Sequence, residues 1–172
     1  MDARDKKRIK GECIKLLREA GCDEPVVEHC MAVAELALKI ARRHYDSVDE
    51  YLVFRGALLH DIGRARSHTV NHGFVGGEIA KELGLEEPVV RIIQRHVGTG
   101  ITAEEAKEIG LPPVNFIPET MEEKIVAHAD NLIDGVRRTG IEDAIEGFKD
   151  KLGDEHPSIR RARMLHEEVM GR

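Results

Sequence analysis

Arg55-Gly56-Ala57-Leu58-Leu59-His60-Asp61-Ile62-Gly63 ends an apolar helical run on a polar histidine-aspartate pair. Leu52, Gly56 and Leu59 recur at helical spacing and face a core, while Gly63 supplies the positive φ that closes a helix. His60 and Asp61 therefore stand at a helix end. Neighbours inside a regular helix diverge by roughly 100°, but at a terminus both side chains can turn toward one metal ion. Imidazole nitrogen beside carboxylate oxygen suits zinc, manganese or iron.

The composition around this stretch favours helices. Of 172 residues, 41% are hydrophobic and only 3% aromatic, with no Trp, so the core is aliphatic. The expectation is an all-α helical bundle in a single domain without internal repeats. A formal net charge of -6 and a pI near 5.9 speak against an extended nucleic-acid-binding surface, leaving metal or a few arginines to meet any phosphate. Cys13, Cys22 and Cys30 are odd in number and lack CxxC spacing, and the sequence holds no ~20-residue apolar span. A reducing, cytoplasmic location without membrane contact is the expectation. Cys30 reads as a small buried hydrophobe.

Outward from the central stretch, a helix over about Asp5 to Ala20 carries Ile9, Cys13, Leu16 and Leu17 on one face and stops at Gly21. A second starts at Pro25 and runs to about Tyr45, with Val26, Cys30, Val33, Ala37 and Ile40 in its stripe. His29 falls inside that stripe. Ser47 and Glu50 form a capping box that opens the helix delivering His60 and Asp61. The loop Gly63 to Asn71 brings Arg64, Arg66 and His68 beside them. His72 to Leu83 forms the next helix, where Gly76 and Gly77 cost roughly 1 kcal/mol each against Ala and so mark close backbone approach. Pro88 to Val97 follows, with Val89, Ile92 and Ile93 leading to an inward His96.

The 98–118 segment, rich in Gly and Pro, brackets a short helix signed by Thr102 and Glu105, and reads as a lid or specificity element. Thr120 and Glu123 open a further helix with Ile125, Val126, Ala129, Ile133 and Val136 inward. Asp130 lies roughly 40° from Val126 on the wheel and His128 about 200° away, so Asp130 is a ligand candidate and His128 is not. Helices over about Ile141 to Leu152 and Ser158 to Met170 read as packing elements. There His156 and His166 lack inward company, and Arg160, Arg161 and Arg163 form a solvated face.

Four histidines thus face the core from four helices, together with Asp61 and Asp130. An aliphatic core would have to partner up to eight imidazole nitrogens and two carboxylates, each costing on the order of 1 to 3 kcal/mol if unpaired. Metal ions take those lone pairs directly. Six ligands exceed the need of one catalytic ion with an open position and suit two ions sharing a carboxylate.

The order His29, His60-Asp61, Asp130 resembles the HD-domain superfamily of metal-dependent phosphohydrolases, and His60-Asp61-Ile62-Gly63 its HDIG subgroup. The resemblance runs from about Val26 to Asp134. His72 with Gly76, and His96 with Gly98, resemble the extra histidines of subgroups that bind two metals. These include HD-type diadenosine tetraphosphate hydrolases and cyclic-di-GMP phosphodiesterases; the Gly-Tyr-Pro of the latter is missing after His96. The resemblance implies a single HD domain over 1–172 with its core at about 25–137.

It also implies a phosphomonoesterase, phosphodiesterase or dinucleoside polyphosphate hydrolase acting on a small phosphorylated substrate, a nucleotide in the first instance. His29, His60, Asp61 and Asp130 would hold one divalent ion and His72, His96 and bridging Asp61 a second, drawn from Fe, Mn, Mg, Ni or Zn, with a bridging hydroxide as nucleophile. Arg64, where many HDIG members carry lysine, and Arg66 would neutralise phosphoryl charge, with Arg95 a third substrate contact and His68 a proton donor. The same ligand set resembles HD-fold di-iron oxygenases, and a nucleotide-sensing module without turnover also fits it. A homo-oligomer is compatible with the sequence.

Overall fold

The computed structural model describes residues 1–44 and 47–171. Helix α1 (Ala3–Ala20) begins where Asp2 accepts the amide of Asp5, and ends at Gly21, whose φ of 103° no side-chain-bearing residue adopts cheaply. Helix α2 (Glu24–Ala41) is capped by Asp23 and buries Val27, Cys30, Val33, Ala34 and Ala37. It stops four residues short of Tyr45 and passes into a 3₁₀ turn over Arg42–His44; Tyr45 itself lies outside the described residues. Helix α3 (Glu50–Leu59) packs along α2, and α7 (Met121–Asn131) covers α2 from another side.

Asp49, not Ser47, caps α3: its carboxylate accepts the amides of Tyr51 and Leu52. Glu50 turns instead to the N-terminal ammonium at 3.3 Å. A carboxylate is the stronger acceptor for terminal N–H groups, so the cap falls two residues later than the Ser-x-x-Glu pattern indicates. The capping boxes at Thr102/Glu105 and Thr120/Glu123 do form, opening α6 (Ala103–Glu108) and α7.

Helices α4 (His72–Glu82) and α5 (Glu87–Arg95) pack as a pair, and α5 also meets α3 and α7. Gly63 is not a positive-φ residue. It is required because a Cβ there would strike the carbonyl of His72 and stand 2.7 Å from the amide nitrogen of Gly76. At Gly76 a Cβ would meet Ile93 Cγ2 at 2.7 Å and Gly63 N at 3.0 Å. Two glycines thus let the 3₁₀ turn Ile62–Ala65 lie directly on α4.

After α7 the chain forms a two-residue ladder, β1 (Ile133–Asp134) with β2 (Arg137–Arg138), so Val136 sits at a hairpin tip and is 62% exposed rather than inward. Gly135, at φ 61°, makes the tight turn that ends the helical pattern. Helices α8 (Ile141–Leu152) and α9 (Pro157–Met170) pair with each other, and α9 also lies on α7. The core is aliphatic, with Leu17, Leu38, Ile40, Phe54, Leu58, Leu59, Ile62, Ile92, Ile93 and Ile125 sealed from solvent. Each such side chain contributes about 1.5–3 kcal/mol through burial. No helix among the described residues is long and apolar enough to cross a membrane.

Candidate metal centre

Six polar side chains converge where α2, α3, α4, α5 and α7 meet. His29 comes from α2, His60 is the C-cap of α3, and Asp61 follows at φ -96°, ψ 16°, already out of the helix. That departure lets adjacent residues face one point. His72 opens α4, His96 caps the C-terminus of α5, and Asp130 lies in the last turn of α7.

Every one of the four imidazoles is held through Nδ1 by a backbone carbonyl. His60 contacts Ala57 O at 2.7 Å, His96 contacts Ile93 O at 2.7 Å, His72 contacts Thr69 O at 2.8 Å and His29 contacts Gly135 O at 2.7 Å. A carbonyl only accepts, so each ring carries its proton on Nδ1 and turns the Nε2 lone pair inward. This outer arrangement is the one that orients metal-binding histidines.

The inward atoms have no satisfactory partners in one another. His60 Nε2 is buried without a hydrogen-bond partner. His72 Nε2 and His96 Nε2 stand 3.0 Å apart, two lone pairs facing unless a cation or extra proton intervenes. His29 Nε2 lies 2.9 Å from Asp130 Oδ1, and His60 Nε2 3.4 Å from the same oxygen. Asp61 spans the cluster: Oδ2 is 3.8 Å from His60 Nε2 and 4.0 Å from His29 Nε2, whereas Oδ1 is 3.2 Å from His72 Nε2 and 3.5 Å from His96 Nε2. Within each of three ligand triads, drawn from these six residues, the donor atoms lie within 4.8 Å of one another. Neutral imidazoles and two carboxylates, oriented at one centre and otherwise unsatisfied, fit divalent transition metal.

Burial by itself raises the carboxyls of Asp61 and Asp130, yet the surrounding histidines, His60 foremost, hold both below the ordinary carboxylate range. Burial also lowers His96. It opposes charge on His60 too, but there the acidic side chains of Cys30, Asp61 and Asp130 prevail and lift its pKa well above the usual value.

Two of the six, His72 and Asp130, reach the floor of a 620 Å³ cleft that Arg64 and His68 also line. Arg64 Nε donates to Asp61 Oδ1 at 3.2 Å and its Nη1 to the carbonyl of His68 at 3.1 Å, so the guanidinium stands at the metal edge. Two arginines proposed from the sequence lie elsewhere. Arg66 pairs with Glu82 on the surface at 2.8 Å. Arg95 is drawn to the buried Glu123 and to Glu119, both at 2.9 Å, and does not line the cleft.

Three features have no counterpart in the sequence reading. His128 is buried and faces His166, with Nε2 and Nδ1 3.2 Å apart; burial and then His166 pull its pKa down to about 4. Arg161 is not on a solvated face: it donates to Glu105 at 2.7 and 2.9 Å and to Ser158 at 3.0 Å, tying α9 to α6. The Gly135 carbonyl that holds His29 comes from the unexpected hairpin. Asp130's neighbour two residues back could have been flagged by its inward helical partners on α9, but no local pattern supplies those.

A helical bundle that converges four oriented imidazoles and two carboxylates on one cleft floor defines a class of metal-binding proteins. The HD domain model matches residues 26–133, and the chain belongs to that family, the HD-domain superfamily of metal-dependent phosphohydrolases. An uncharacterized protein of Methanocaldococcus jannaschii is 55% identical over 152 residues, 86% of this chain and 89% of the other. A tRNA (cytidine(56)-2'-O)-methyltransferase of Thermoplasma volcanium is 40% identical over 160 residues, 92% of this chain but 47% of the other, so this chain spans about half of that relative. Ribonuclease Y of Acidothermus cellulolyticus is 44% identical over 73 residues, 41% of this chain and 14% of that protein. Among solved structures, the L. monocytogenes phosphodiesterase PgpH HD domain in complex with cyclic-di-AMP aligns with TM-score 0.56 at 20% identity, covering 92% of this chain and 95% of the other. That likeness shows the fold.

Proposed function

We propose that this chain hydrolyses a phosphoester or phosphoanhydride of a small nucleotide with two divalent metal ions. The observation that carries the reading is the common orientation of His29, His60, His72 and His96, each with Nδ1 committed to a carbonyl and Nε2 turned toward Asp61 or Asp130. His29, His60, Asp61 and Asp130 would hold one ion and Asp61, His72 and His96 the other. Asp61 turns Oδ2 toward His29 and His60 and Oδ1 toward His72 and His96, so it would be available to both ions. Bound there, the ions supply Lewis-acid activation of water near neutral pH and neutralise charge developing on phosphoryl oxygens.

The chain's own groups do the rest. Arg64, fixed by Asp61 and the His68 carbonyl, presents its remaining N–H groups to a phosphoryl oxygen. His68, exposed on the cleft rim, donates a proton to the leaving oxygen. The buried floor keeps bulk water from the ligands, and a cleft of 620 Å³ accommodates a nucleotide-sized molecule. In this reading residues 1–172 are one HD domain, with α1, α8 and α9 flanking a 25–137 core, working in a reducing cytoplasm.

Relatives named for tRNA methylation and as ribonuclease favour a second reading, in which the phosphoester belongs to RNA. One experiment separates these. Protein loaded with Mn²⁺, Fe²⁺, Ni²⁺ or Zn²⁺ is incubated with mononucleotides, cyclic and linear dinucleotides, dinucleoside polyphosphates and short RNA, with release of phosphate or mononucleotide followed. Turnover of a nucleotide that Asp61→Asn abolishes supports the proposal; cleavage of RNA alone selects the second reading; no release from any substrate with metal bound refutes both.

A further inference from the structure

The metal centre occupies only the floor of the cleft, and its outer half has a different character. Val70, Ile109 and Leu152 are 47%, 46% and 48% exposed, and all three line this cleft from the 64–71 loop, the end of α6 and the end of α8. Phe148 lines the same cleft, half-buried, with its ring edge near Gly98, where a Cβ would stand 3.4 Å away. Gly98 is two residues beyond His96. Large apolar side chains left exposed at separate loci are ordinary; three gathered round one cavity mark a surface that something apolar covers.

Charge in that outer half cancels. Glu105 and Glu108 stand against Lys151 and Arg161, and Arg161 is already spent on Glu105 at 2.7 Å. A second phosphate would meet no unopposed cationic track there. The part of the ligand farthest from the metals is therefore uncharged and has a flat or apolar face. Phe148 and Leu152 of α8 and Arg161 of α9 lie beyond residues 26–133, the part of the chain that the HD domain model matches.

We propose that Phe148, Leu152, Ile109 and Val70 form a nucleobase subsite, and that the ligand is a mononucleotide unit with a single phosphate group reaching the metal floor. This rests on the phosphohydrolase reading for the identity of the floor. Base stacking and burial between these side chains set recognition, while Arg64 and the ligand cluster take the phosphate.

The test is calorimetry on the full chain loaded with Mn²⁺, using methylenephosphonate analogues of AMP, UMP and ribose 5-phosphate. Stacking on an aromatic side chain predicts that the nucleotide analogues bind about tenfold or more tightly than the sugar analogue. Ile109→Asp with Leu152→Asp, both at exposed positions, should bring nucleotide affinity down to that of the sugar analogue and leave the latter unchanged. Equal binding of all three analogues by the unaltered protein, or a parallel fall for sugar and nucleotide in the double variant, would overturn the subsite. Tighter binding of α,β-methylene-ADP than of the AMP analogue by more than about tenfold would overturn the single-phosphate assignment. A base preference without turnover of any phosphoester would leave the subsite standing and remove the hydrolase reading.

Discussion

Gly63→Ala is the substitution that should separate the two halves of the metal centre. The new Cβ would strike the His72 carbonyl and stand 2.7 Å from Gly76 N, where ordinary contact begins at 3.4 Å. Relief demands that the Asp61–Ala65 turn and the start of α4 part by at least 0.7 Å, the difference of those two distances. Both obstructing atoms are backbone, so no rotamer change suffices. Overpacking of this kind costs about 1–3 kcal/mol, at the upper end when main chain must move. The same displacement carries His72 away from Asp61, whose Oδ1 now lies 3.2 Å from His72 Nε2. Loss of ligand orientation lowers metal affinity by about 10–100-fold.

Gly11→Ala is the control, since a Cβ there, in the middle of α1, meets nothing within 4 Å and gains about 1 kcal/mol in helix propensity. Urea unfolding of the metal-free variants gives the stability and Mn²⁺ calorimetry the affinity. Should Gly63→Ala match Gly11→Ala in both, the backbone crossing does not hold the centre together.

Other substitutions test neighbouring steps. Arg66→Gln should leave turnover unchanged, because its partner is the surface Glu82; a large loss of kcat/KM would return Arg66 to the site. Arg95→Gln should lower stability by about 1–3 kcal/mol with KM unaltered, because it strips a partner from the buried Glu123 carboxylate. Arg64→Ala should lower kcat/KM by about 10²-fold while metal content persists, which total-metal analysis alongside kinetics would check.

The His128 pKa, about 4 when folded against 6.5 ordinarily, means that the unfolded chain takes a proton the folded one refuses. Stability therefore falls as pH drops from 6.5 toward 4, by about 3 kcal/mol from this group, and His128→Gln should flatten that slope in denaturant titrations. Asp61 and Asp130 act in the same direction at lower pH: their depressed carboxyls contribute stability above the ordinary carboxylate pKa and lose it only as pH falls below that range.

The helices and the six converging polar side chains can be read from the chain because helical periodicity is local: His29, His72, His96 and Asp130 each share a face with aliphatic neighbours a turn away. Close backbone approach is found at Gly76, against Gly63, whereas Gly77 makes room for the Gln94 side chain. What the sequence did not reveal depends on partners far along the chain. His128 looks outward by periodicity, yet α9 folds over that face and supplies His166. Arg161 looks like one of a solvated basic trio until Glu105, 56 residues away, claims it. Glycine commonly ends helices through a positive φ, but the constraint on Gly63 is the α4 backbone, which no local pattern reveals. Val136 continued the α7 pattern on paper, but Gly135 turned the chain into a hairpin whose carbonyl then fixed His29.

Anomalous diffraction from crystals grown with Mn²⁺ tests the centre most directly. Two peaks are predicted, one among His29, His60, Asp61 and Asp130 and one among Asp61, His72 and His96, each about 2.0–2.3 Å from an Nε2 or carboxylate oxygen. Peaks placed elsewhere, or rings that reach the ion through Nδ1 after releasing their backbone carbonyls, would contradict the account.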